Sequence, residues 1–122
     1  MQAIETRYSG ILFRSRLEAR WALYFDLLGI EWLYEMEGFK LESGEIYLPD
    51  FYLPPPLDIF CEVKPYKQTD NRWNLFTNEH KLLLLFGKVN SYPLTLMYKS
   101  GEQLVVLAHV DSDYAPIYYA RM

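Results

Sequence analysis

Asp50 and Glu62 are acids set inside apolar, strand-forming stretches, and Lys64 follows two residues after the second. The runs that carry them, Ile46–Leu53 and Ile59–Lys64, are separated by Pro54-Pro55-Pro56-Leu57-Asp58. Prolines cannot donate to a strand ladder, so this segment must be the connection. Leu53 then faces Ile59, and counting back along both arms puts Asp50 directly opposite Glu62. Opposed residues of a ladder have Cβ atoms about 4.5–5.5 Å apart, a separation at which two carboxylates repel unless a cation lies between them. The period of two places Lys64 on the face of Glu62 and turns Cys61 and Val63 to the other. A Mg²⁺ or Mn²⁺ ion held by one or two such carboxylates, with the backbone carbonyl of Val63 as a further oxygen, retains waters and can supply a nucleophile to a phosphodiester. Lys64 could orient or deprotonate that water, or neutralise charge building on the phosphoryl oxygens.

Each piece also has a bland explanation. Pro49-Asp50 can be a kink at a strand end, and Glu62 with Lys64 an exposed ion pair of small value. The shared reading rests on the conjunction: both acids within apolar strands, the strands consecutive, and a proline loop that sets the spacing.

The first element expected is a helix over Arg14–Leu28, opened by Ser15, closed by Gly29, with Leu17, Trp21, Tyr24, Phe25 and Leu28 recurring at helical spacing. Ser15-Arg-Leu-Glu18 reads as a capping box. Ala22 and Phe25 lie only about 40° and 20° around the helix from Glu18, which places that carboxylate at the border of the buried stripe. Arg14 shares the flank of Glu18 and is the better phosphate ligand. Arg16 and Arg20 project from the opposite side with Leu23 and Leu27, as DNA contacts or as solvated surface. A helix apolar on both sides is covered on both, by later strands of the same chain or by a second subunit. Lys67 and Arg72, just past the second acid strand, could reach a phosphate or be merely solvated.

Strands follow at Glu31–Phe39, Glu45–Leu53 and Ile59–Lys64. A second helix is expected over Asp70–Phe86, packing through Leu75, Glu79, Leu82, Leu83 and Phe86, and two last strands at Leu94–Tyr98 and Gln103–Val110 turn at Ser100-Gly101. The expected order is αβββαββ. With 51% apolar and 23% charged residues, 1–122 reads as a single globular domain. No apolar run reaches the roughly 18 residues of a membrane span, and the N-terminus lacks signal-peptide organisation, so a soluble cytoplasmic protein is expected. One cysteine excludes internal disulfides and zinc knuckles, and Cys61 reads as a packed thiol. His80 and His109 lack partners at metal or triad spacing and read as structural. The net charge of −4 argues against a protein that coats nucleic acid, but basic residues gather in the first twenty positions and acids between Asp26 and Asp50.

Pro49-Asp50 followed by Glu62-Val63-Lys64 resembles the PD-(D/E)XK nuclease superfamily. Phe13-Arg-Ser-Arg-Leu-Glu-Ala-Arg-Trp-Ala22 and Tyr34-Glu35 look like segments of small phage-encoded nucleases related to Holliday-junction resolvases of the endonuclease I type. The likeness covers residues 8 to 65 and is topological beyond Pro65. It implies a restriction-endonuclease-like α/β fold, an αβββαβ core with a mixed central sheet flanked by helices. It also implies a divalent-metal-dependent deoxyribonuclease, with Asp50, Glu62 and Lys64 as catalytic residues and Mg²⁺ or Mn²⁺ as cofactor. In many members the first helix supplies a further acid, which by position is Glu18, sharing the metal with Asp50 and Glu62. The chain leaves no room for a separate sequence-reading domain, which favours recognition of DNA shape, as by a homodimer on branched DNA. The competing expectations are a catalytically silent DNA-binding or protein-interaction module, and a sequence-specific restriction-type endonuclease.

Overall fold

Ile59–Lys64 forms the strand around which the rest is arranged. In the computed structural model, which describes residues 3–89, 94–108 and 117–121, it is the seventh strand of the chain. Before it come a hairpin of β1 (Thr6–Tyr8) and β2 (Ile11–Phe13), helix α1 (Arg16–Leu27), and the short strands β3 (Leu33–Tyr34), β4 (Phe39–Lys40), β5 (Ile46–Tyr47) and β6 (Phe51–Leu53). After β7 (Ile59–Lys64) come α2 (Asn71–Phe76), β8 (Leu82–Phe86), β9 (Leu94–Tyr98), β10 (Glu102–Ala108) and β11 (Ile117–Arg121). A seven-stranded sheet has the order β11-β10-β9-β8-β7-β6-β3. It is mixed: β8 runs parallel to β7, and the other neighbours are antiparallel. No helix of the described residues is long and apolar enough to cross a membrane.

Helix α1 forms where its caps predict. The Ser15 hydroxyl accepts from the Glu18 N–H at 3.1 Å. At the other end Gly29 takes φ +71, its N–H donates to Asp26 O, and the N–H of Ile30 donates to Phe25 O, the paired bonds of a Schellman motif. Trp21, Ala22 and Phe25 bury the inner face against Phe51, Leu53, Ile59, Cys61, Val63, Leu83 and Leu85. On the opposite face of the sheet, Phe60, Leu82, Leu84 and Phe86 pack with Trp73 and Phe76 of α2 and with Tyr47. The sheet is thus covered on both sides, and β8 is buried at every position.

That double burial corrects the second helix. The expected Asp70–Phe86 helix stops at Phe76, where the Thr77 hydroxyl donates back to Trp73 O at 2.8 Å, and Leu82–Phe86 is a strand. An unbroken apolar run has no periodicity to tell a buried strand from a buried helix. The parallel step from β7 to β8 needs a crossover and then a strand, and a helix running to Phe86 would leave no residues for the latter. Leu75 to Phe86 is therefore no helical stripe. The strands expected over Glu31–Phe39 and Glu45–Leu53 are also divided. Glu35 has φ +46, a left-handed conformation that ends β3, and Leu48-Pro49 lies between β5 and β6. The hairpin β1-β2 was not foreseen, and the order αβββαββ lacks it. The ends Leu94–Tyr98 and the turn at Ser100-Gly101 form as expected. Val110, at the end of the last expected strand, lies outside the described residues.

Candidate active site

The proline loop sets the register that its composition predicts: Leu53 pairs with Ile59, Tyr52 with Phe60 and Phe51 with Cys61. The ladder ends there, short of the expected direct opposition of Asp50 and Glu62: the Asp50 N–H bonds to the carbonyl of Cys61, one residue out of the register that pairs Phe51 with Cys61. The backbone of Asp50 is held from both sides. Its N–H donates to Cys61 O at 3.0 Å and its carbonyl accepts from the Glu35 N–H at 2.8 Å. Its carboxylate accepts from the Val63 N–H at 2.7 Å. N–H and C=O of one strand residue leave by the same edge, so the Val63 carbonyl also faces the Asp50 side, beyond the last ladder pair.

Glu62 is buried, 5% exposed, on the sheet face of α2. The Tyr47 hydroxyl donates to its Oε1, and the Lys64 ammonium stands 3.5 Å from its Oε2. Burial first, then the charges of Glu62 and Glu18, pushes the Asp50 carboxyl far above the usual range. Burial also raises Glu62, opposed by the donors Tyr47, Lys64 and Asp50. Burial and the neighbouring charge together make it costly for both acids to ionise at once. Hard oxygen donors that converge and are kept from ionising together fit a divalent cation, which would displace the proton that the raised Asp50 carboxyl holds.

Glu18 is 7% exposed and Asp50 feels its charge, but its contacts lie on the α1 side. Its Oε1 accepts from the Ser15 hydroxyl at 3.3 Å and from the Tyr34 hydroxyl at 3.1 Å, while its own N–H donates to Ser15. Glu62 faces the opposite side of the sheet, so Asp50, at the end of β6, is the acid between the two. Among the described residues no three His, Cys, Asp or Glu side chains form a group able to hold one metal. The candidate ligands brought together are Asp50, Glu62 and the Val63 carbonyl.

Of the arginines, Arg14 is exposed and pairs with Glu35 at 2.8 Å, while its N–H donates to the Tyr34 hydroxyl. Burial raises the Glu35 carboxyl, and Arg14 opposes the shift. Arg16 and Arg20 are exposed on α1, as is Lys67 beyond β7. Leu23 and Leu27 are 43% and 76% exposed, so none of the described residues covers this part of the outer face of α1. Cys61 is fully buried on the α1 side, where burial pushes its thiol up. The His80 ring stacks on Phe76 at 4.7 Å, a packing role as expected. His109 lies outside the described residues.

Sequence reasoning did not find Tyr47, the buried donor to Glu62, and considered Arg72 behind it only as a phosphate contact. The Arg72 guanidinium stands 5.4 Å over the Tyr47 ring and is held by Asp70 through bonds of 2.6–3.2 Å. Strand alternation could not reach Tyr47, because the chain leaves the strand between Tyr47 and Phe51. The chain matches no known family model, no curated protein and no solved structure.

Proposed function

We propose that this protein is a divalent-metal-dependent deoxyribonuclease of the PD-(D/E)XK type, hydrolysing phosphodiester bonds at Asp50 and Glu62. One observation carries the reading: the buried Glu62 carboxyl, whose charge acts on the half-buried Asp50 carboxyl beside it, has the Lys64 ammonium 3.5 Å from its Oε2. The order α1-β3-β6-β7-α2-β8, with the separate β4-β5 pair between β3 and β6, supports it, since Asp50 immediately precedes β6 and Glu62 lies on the adjacent β7, close to the αβββαβ core of that superfamily.

A bound Mg²⁺ or Mn²⁺ would supply Lewis acidity and a nucleophilic water. The chain's own residues do the rest. Glu62 and Asp50 supply anionic oxygens, Glu62 held in orientation by the Tyr47 hydroxyl and Asp50 by the Val63 N–H. Lys64, partly exposed at the end of β7, stands where its ammonium can meet a phosphoryl oxygen or its neutral amine can accept a proton. Arg14, Arg16 and Arg20 present exposed cations at the start of α1, suited to the phosphates of a DNA backbone. The uncovered Leu23 and Leu27 support a homodimer through α1, which would give two sites for the two strands of a branched DNA.

The test is to titrate Mg²⁺ or Mn²⁺ against cleavage of supercoiled, linear and four-way-junction DNA. The expected result is metal-dependent cleavage, reversed by chelation, with paired nicks in the junction. Discrete fragments from linear DNA would instead indicate a sequence-specific enzyme. Absence of cleavage of all three substrates at every metal concentration would leave a silent module and refute the hydrolytic reading.

A further inference from the structure

The face of the sheet that carries Glu62 and Lys64 continues, one strand away, into a cavity of about 570 Å³. The register sets its distance from the acids. Leu84 is the β8 partner of Glu62, Phe86 is the partner of Lys64, and Thr95 on β9 is the partner of Leu84. All three line the cavity. Directly paired residues share a face, and strands lie about 4.8 Å apart, so the cavity begins about 5–10 Å from Glu62. Its volume is within the ~300–1,000 Å³ typical of small-ligand sites.

The chemistry of the walls is divided. Leu84, Phe86, Met97 and Trp73 supply apolar and aromatic surface, and the side-chain amides of Gln68, Asn74 and Gln103 stand around it. Amides offer donors and acceptors side by side, which suits the edge of a heterocycle rather than a phosphate. Of the charged groups, Asp70 is engaged by Arg72, and Lys67 lies in the exposed loop that leaves β7. Trp73 is 1% exposed, and its indole N–H has no acceptor among the described residues. Buried donors are rarely left so.

From this placement we infer that the cavity receives an unstacked nucleobase of the DNA, from a nucleotide flanking the phosphate held at Asp50 and Glu62. The apolar floor takes the base out of water and the amide rim meets its edge, one strand spacing from the acids. The inference rests on the nuclease reading for the identity of the polymer and names its substrate class: DNA with an unpaired or readily extruded nucleotide, such as a junction or a bulge.

The experiment is equilibrium binding in EDTA, where no cleavage intervenes. The probes are a duplex with one unpaired adenine, the same duplex fully paired, and the same duplex with an abasic residue in place of the unpaired adenine. The bulged duplex is expected to bind ~10-fold more tightly than the paired one, and the abasic duplex to lose that preference. Thr95→Phe, which fills the cavity, should abolish the preference and leave affinity for the paired duplex unchanged. Gln103→Leu, at an exposed rim position, should reduce it without touching the core. Equal binding of all three probes by the unaltered protein, or a preference undiminished in both folded variants, overturns the inference. Preference without metal-dependent cleavage would refute hydrolysis and retain the pocket, while cleavage without preference would refute the pocket alone.

Discussion

Glu62→Gln is expected to lower metal-dependent DNA cleavage by on the order of 10³-fold or more, with DNA affinity in EDTA unchanged or higher. The substitution is nearly isosteric. The glutamine carbonyl can still accept from the Tyr47 hydroxyl, and Lys64 remains beside it, so the fold is preserved. What is lost is the anionic oxygen facing Asp50. The uncatalysed reaction is slow enough that metal, base and positioning must together remove on the order of 20 kcal/mol of barrier, and no one group supplies that. Removing a ligand therefore disables a cooperating set rather than one additive share. The same change removes a negative charge from a surface that must approach phosphates, which weakens nothing in binding. Initial rates on supercoiled plasmid, with fluorescence anisotropy on a labelled junction, give the two readouts. A variant that cleaves within tenfold of the unaltered protein would remove Glu62 from the site.

The second large effect is on stability, and its sign is opposite to that of most buried substitutions. Asp50→Asn is expected to raise the metal-free melting temperature at pH 8, by at least about 1 kcal/mol of stability, while abolishing cleavage. Burial and the neighbouring acids raise the Asp50 carboxyl well above the value it has in the unfolded chain. Between the unfolded and folded values the folded protein binds more protons than the unfolded one, so stability falls as pH rises through that window. Below the unfolded value both states are protonated and the penalty is absent. Asparagine cannot ionise and so carries no such slope. Its carbonyl can accept from the Val63 N–H as the aspartate does, and its amide can donate toward Glu62 without carrying charge. The advantage of the variant should therefore vanish near pH 4 and grow toward pH 8. Adding Mg²⁺ should stabilise only the unaltered protein, by about 2.7 kcal/mol at a hundred times its dissociation constant. Melting curves across pH, with and without metal, check both halves. A variant less stable than the parent at pH 8 without metal would contradict the raised Asp50 carboxyl.

Legibility in the sequence followed how far local rules reach. The register of β6 and β7 was readable because three prolines exclude every other connection, but the count fails one step further, where Asp50 bonds to Cys61 instead of continuing the ladder to Glu62. The ends of α1 were readable because Ser15 and Gly29 act within one turn of the helix they bound. The four leucines of β8 were not, since a strand buried on both faces shows no alternation and leucine also favours a helix. Glu18 shows the boundary well. Its position at the edge of the buried stripe is local and was predicted. The side of the sheet on which its carboxylate ends depends on the packing of α1 against strands distant in the chain. Tyr47 lay beyond reach for a related reason: its approach to Glu62 is made by a segment that has left the ladder, where counting residues assigns no face.

The most direct measurement of the central claim, that Asp50 and Glu62 together hold a divalent ion, is Mn²⁺ binding followed by electron paramagnetic resonance at pH 6 and pH 8. The unaltered protein is expected to bind Mn²⁺ more tightly at pH 8, because the proton held by the Asp50 carboxyl must leave as the cation enters. Asp50→Asn and Glu62→Gln should each weaken binding by at least about tenfold. Equal Mn²⁺ affinity in the parent and both variants, or no binding by the parent at either pH, would contradict it.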